Sequence, residues 1–181
     1  MVLGAELSGN FGNARVGRFV ERNFRLDYVL RILLDLNRNS STLKAMSASL
    51  YIVVEGEDPG FDIFVNGHAL ARNEDALERL AQRLSVAPLL EFFSADRNSM
   101  ALLLDQGAGD PEWTHHLPQP QWFPPEDGLR TIRSLLDFLA MAPAALGTDT
   151  EMVARELKEY ETVLRKTSQR GLRWHLAVSW R

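Results

Sequence analysis

Ser49-Leu-Tyr-Ile-Val-Val-Glu-Gly-Glu-Asp-Pro-Gly-Phe-Asp-Ile-Phe-Val-Asn-Gly67 is the stretch on which the fold is read. Its first half, Ala48–Glu55, has the β-branched and aromatic composition of a strand. Leu50, Ile52 and Val54 share one face and Tyr51 and Val53 the other, so both faces are expected to be covered. Asp58-Pro59-Gly60 is a turn signal, because Pro presets φ and Gly accepts a positive φ at the next position. Phe61–Val65 then reads as the returning strand, closed by Asn66-Gly67. The prediction is a β-hairpin carrying four carboxylates: Glu55, Glu57, Asp58 and Asp62.

Downstream of the hairpin the period changes to that of helices. Asn73 is placed as the cap of a helix running to about Ser85, with Glu74 and Asp75 in its positive first turn. Leu77, Leu80, Ala81 and Leu84 form its apolar stripe. Pro88 opens a short apolar segment through Phe93, and a short helix is predicted from Ser94 or Asp96 to about Leu104. The stretch 107–125 is irregular, since five of the eight prolines lie between Pro111 and Pro125. A helix follows from about Pro125 to Ala140, with Leu129, Ile132, Leu135, Leu136 and Leu139 inward. Thr148-x-x-Glu151 has the form of a capping box. The helix it opens is expected to bury Met152, Val153, Leu157, Tyr160 and Leu164, and to stop at Gly171 after Arg165, Lys166 and Arg170. Leu172–Trp180 is a last strand, with Trp174, Leu176, Val178 and Trp180 on one face and His175, Ala177 and Ser179 on the other. Strands at both ends with about four helices between them predict a small α+β domain. A hairpin alone is only marginally stable, so the terminal strand should pair with it.

Composition divides the chain. Residues 1–45 carry seven Lys/Arg against four Asp/Glu, a net of +3, whereas 46–181 carry thirteen against twenty, a net of −7. Every proline, tryptophan and histidine lies after Met46. Residues 46–181 therefore read as a single α+β domain and 1–45 as an N-terminal extension. Two readings compete for the extension. In one, Arg15–Leu36 is a basic amphipathic helix that docks on the acidic body or on a membrane surface. In the other, native translation starts at Met46 rather than Met1. No apolar run is long enough to span a bilayer, and the first residues do not follow the order of a secretory leader. With no cysteine there is no disulfide, thiolate metal site or cysteine nucleophile, and a cytoplasmic location is the expectation. The acidic body should be repelled by nucleic-acid phosphates.

Candidate chemistry is sparse. Glu55, Glu57, Asp58 and Asp62 offer oxygen ligands to a hard cation such as Mg²⁺ or Ca²⁺, although their spacing is not that of a calcium loop. Asp ahead of Pro-Gly equally serves turn geometry alone. His175, mid-strand, is the best acid–base candidate, with Glu55 as an orienting carboxylate if the end strands are neighbours. A packed, hydrogen-bonded imidazole is the plainer reading. Trp113 and Trp122 in the Pro-rich stretch are binding candidates, because Trp is enriched in hot spots, while Trp122-Phe123 also suits a staple onto the core. His68 stands at a strand end near the helix that Asn73 starts, and helix N-termini bind anions. The adjacent His115 and His116 lack the i,i+4 spacing of a helical metal pair. Gly-rich phosphate loops, nucleophile elbows and dinucleotide fingerprints do not occur.

Leu50-Tyr-Ile-Val-Val-Glu-Gly-Glu-Asp-Pro-Gly-Phe-Asp62, Phe92-Phe93-Ser94 and Arg170-Gly-Leu-Arg-Trp-His-Leu-Ala-Val178 resemble a group of small uncharacterised bacterial proteins over about residues 48–180. The resemblance implies an origin and a size, and assigns no catalytic residue. The functional expectation is an acidic interaction or regulatory module for a basic protein partner. The alternatives are a divalent-metal-dependent hydrolase-like enzyme using the acidic turn and His175, and a homo-oligomeric structural protein.

Overall fold

The computed structural model describes residues 48–94 and 120–180. The expected helix at 15–36, all of the one at 94–104 except Ser94, and with them Trp113, His115 and His116, lie outside the described residues. The described elements are β1 (Ala48–Val54), α1 (His68–Arg72), α2 (Glu74–Arg83), a 3₁₀ turn (Leu89–Phe92), α3 (Pro125–Met141), a 3₁₀ turn (Gly147–Asp149), α4 (Thr150–Gln169) and β2 (Trp174–Trp180). The class is α+β: β1 and β2 form a two-stranded antiparallel sheet against the helices. Leu50 stands opposite Val178, Ile52 opposite Leu176 and Val54 opposite Trp174.

Period-2 and period-3.6 patterns converge on one core. Leu50, Ile52 and Val54 from β1 and Trp174, Leu176 and Val178 from β2 are buried, as are Leu129, Ile132, Leu135 and Leu139 of α3. From α4, Val153, Leu157, Tyr160 and Leu164 are fully enclosed. The opposite face of β1 is only half covered at Tyr51 and Val53. Trp174 sits at the centre, its ring 5.2 Å from Phe92 and its Nε1 donating to the Pro124 carbonyl. Helix α3 reaches it only because position 128 is glycine. A Cβ there would stand 2.2 Å from Trp174 Cζ2.

The far edge of β2 takes two isolated bridges. Ser94 donates its N–H to Leu176, and Phe123 exchanges both backbone bonds with Trp174, at 2.8 and 3.0 Å. Residues 93–94 and 120–124 thereby dock on the strand without adding a full ladder.

Four local expectations are corrected. Phe61–Val65 is not a strand, and among the described residues β1 pairs with β2 alone. Within the segment the Phe64 amide is taken by Asp62 Oδ1, and on its flanks Gly60 donates to Asp58 Oδ1 and Asn66 to Glu159 Oε2. Asn73 precedes α2 without capping it through its side chain; its Nδ2 donates back to the Ala69 carbonyl and to Asp149. Thr148 lies in a 3₁₀ turn and forms no capping box. Helix α4 starts two residues later, where Thr150 Oγ1 accepts from the Leu146 amide and donates to the Gly147 carbonyl. Met152, expected inside, is 47% exposed because it falls off the buried stripe of α4, which runs through Thr150, Val153 and Leu157.

Candidate functional site

The acidic stretch folds as a loop between β1 and α1, and each of its ends is tied to the C-terminal third of the chain. At its start Glu55 donates its amide to the Arg173 carbonyl, and its carboxylate takes both a 2.8 Å bond from Arg173 Nε and a second from Nη2. The fork-to-fork pair holds the Glu55 carboxyl below its ordinary range and pushes the guanidinium up. Next come two local turns in which a side chain replaces a backbone acceptor: Asp58 holds Gly60 at 2.7 Å and Asp62 holds Phe64 at 2.8 Å. Arg170 lies beside Gly60, where an added Cβ would come within 3.2 Å of its Nη1. Lys166 Nζ stands 5.9 Å from the Phe61 ring centre.

From 61 to 65 the residues alternate as in a strand without pairing as one. Phe61 and Ile63 pack on the core and Val65 is buried, while Asp62 is exposed and Phe64 is 77% exposed. Glu57 and Asp58 are exposed as well. An apolar ring thus stands in water on a loop fixed on either side of it, and the same loop carries the exposed Glu57, Asp58 and Asp62.

The four carboxylates are not gathered into one ligand set. Glu55 is engaged by Arg173, and Asp58 and Asp62 each serve their own turn amide. Among the described residues no group of three or more His, Asp or Glu side chains is placed to hold a metal ion. With the end strands paired, His175 stands two positions along the chain from Arg173, which holds Glu55. His175 lies opposite Val53, 1% exposed, with Nδ1 donating to the Leu176 carbonyl and the Trp122 ring 4.7 Å away. Trp122 is half-buried on that imidazole, and its neighbour Phe123 is bonded to Trp174. His68 is half-buried at the first residue of α1, with Nδ1 donating to the Ala48 carbonyl at 3.1 Å.

A second polar cluster closes the far end of the loop and was not singled out in the sequence. Glu156, 3% exposed, accepts the Ala69 and Leu70 amides on its two carboxylate oxygens at 3.1 and 2.9 Å. One turn on, Tyr160 donates its hydroxyl to the Leu50 carbonyl at 2.7 Å, and Glu159 accepts from Asn66. Burial raises the Glu156 carboxyl above its ordinary range, against the two amides and His68, which favour the charge, and with Glu159, which opposes it. Burial, followed by the Glu156 and Glu159 charges, pushes the Tyr160 phenol well up. The signal was present in the sequence: Glu156 is three residues from Val153 and four from Tyr160, squarely on the apolar face of α4. Phe64 was hidden differently, since strand alternation alone does not tell a paired face from a bare one.

Helices long and apolar enough to cross a membrane do not occur among the described residues. Comparison with family models, with curated proteins and with solved structures finds no match to this chain.

Proposed function

We propose that the chain is a protein-interaction module whose contact surface is the loop 57–66, with Phe64 as its apolar anchor and Glu57, Asp58 and Asp62 as its acidic rim. The observation that carries this reading is the 77% exposure of Phe64 beside the buried Val65. Enclosing such a ring in a partner pocket is worth about 1.5–3 kcal/mol. The loop is already held by the Asp58 and Asp62 turns and the Glu55–Arg173 pair, so little ordering cost opposes binding. Arg173 neutralises Glu55, which leaves three carboxylates to select a partner. The fitting partner is a basic protein with an apolar pocket edged by Lys or Arg. Lys166 and Arg170, at the α4 end of the loop, orient it by repelling cations there.

The test is selection from a displayed random-peptide library on the full chain and on Phe64→Ser. Enrichment of Lys/Arg-bearing apolar peptides that is lost with Phe64→Ser and weakened by salt supports the proposal. No enrichment, or enrichment indifferent to Phe64, overturns it.

A further inference from the structure

We infer that Glu156 is a proton-sensitive fastener of the Asn66–Leu70 turn, which opens more readily once the buried carboxylate is charged. The geometry is a carboxylate 3% exposed whose two oxygens each hold one backbone amide of α1. Those two bonds stabilise the charge but replace only part of its hydration. Opening the turn returns water to the group.

Among the described residues, the charges around it do not neutralise it. His68, from the helix that it fastens, favours the ionised form, and Glu159 on its own helix opposes it. Tyr160 is spent on Leu50, and Arg72 of α1 is paired with Asp149. Of the cations on α3, which packs along α4, Arg130 is paired with Asp127 and Arg133 with Glu161. Burial, the largest influence, raises the proton affinity of the closed turn. The sign is therefore fixed. The closed turn is favoured while Glu156 is protonated, and this stabilisation is lost as pH rises through the folded-state titration, above the ordinary carboxylate range.

Amide exchange of Ala69 and Leu70 in the full chain, corrected for intrinsic rates and followed by NMR from acid to neutral pH, tests this. The opening equilibrium should rise with pH, by a factor of about ten for each tenfold difference in proton affinity between closed and open turn. Glu156→Gln should flatten the dependence and His68→Gln should leave it in place. Should Glu156→Gln not fold, the carbon shift of the Glu156 carboxyl in the unaltered chain supplies the second reading, with a midpoint above that of an exposed glutamate. A flat profile, protection that grows with pH, an ordinary carboxyl midpoint, or a dependence abolished by His68→Gln would overturn the inference.

Discussion

The Tyr160 hydroxyl donates to the Leu50 carbonyl at 2.7 Å across 110 residues of sequence, and so occupies the acceptor that a strand returning beside β1 needs. The Leu50 amide is bound on the same edge by the Gly67 carbonyl at 3.2 Å. Removing the hydroxyl leaves a buried acceptor unmatched, which costs about 1–3 kcal/mol. Tyr160→Phe should therefore lower Tm by about 3–8 °C. A melt unchanged within 1 °C would show that the bond contributes nothing net.

Gly67→Ala should cost more than its size suggests. The new Cβ would lie 2.2 Å from the Leu50 carbonyl oxygen and 2.4 Å from the Tyr160 hydroxyl, and the first of these is backbone. Overpacking of this kind costs about 2–3 kcal/mol. Urea midpoints of Gly67→Ala and of the double variant with Tyr160→Phe separate the two contacts. Partial rescue in the double variant is expected, because only the hydroxyl can be removed.

The Glu55–Arg173 pair gives an acid dependence of the opposite sign to that of Glu156. Its carboxyl is held low, first by the Arg173 hydrogen bond, so its stabilisation is present above the unfolded carboxylate pKa and is lost as pH falls through the folded value. Arg173→Gln should reduce the steepness of the loss of stability on acidification. Measured urea midpoints between pH 3 and pH 6, a window of about one to two units either side of the usual glutamate value, check this. Equal slopes in both proteins would remove the pair from the account.

Phe64→Ser and Phe61→Ser should separate binding from folding. Phe64 is 77% exposed, and changes at such positions stay within about 0.5 kcal/mol. Phe61 packs on the core beneath Lys166, and its loss should lower Tm by several degrees. Peptide capture should vanish with Phe64→Ser while the melt is unchanged. A destabilised Phe64→Ser would mean that the ring is part of the fold.

Mg²⁺ and Ca²⁺ should leave Tm unaltered. A specific ion at about 100 times its Kd adds roughly 2.7 kcal/mol. The placement of Glu55, Asp58 and Asp62 on Arg173 and on turn amides gives no shared ligand set. A shift abolished by Asp58→Asn would restore the cation reading of the loop.

Periodicity alone located most of the framework. The alternation of Leu50, Ile52 and Val54, the helical spacing of Leu129, Ile132 and Leu135, and the alternation of Trp174, Leu176 and Val178 each match the buried side in the structure. These are properties of neighbours in sequence, and burying an apolar face needs only the right local period. That the terminal strand pairs with the hairpin region followed from the instability of a lone hairpin; the structure pairs it with β1, antiparallel, although the hairpin itself does not form.

The candidate site was legible only in its parts. Asp58 ahead of Pro59-Gly60 announced a turn, and its carboxylate does hold that turn. What sequence could not decide was competition for hydrogen bonds. Whether Phe61–Val65 joins β1 depends on Glu159 and Tyr160, about a hundred residues away, reaching Asn66 and Leu50 first. A hydrogen bond is short and directional, so its partner is set by where the tertiary fold puts each donor and acceptor. Local sequence thus determined β1, β2, the three longer described helices α2, α3 and α4, and the Asp58 turn. Tertiary packing alone decided that the returning segment stays unpaired and that Phe64 stands in water.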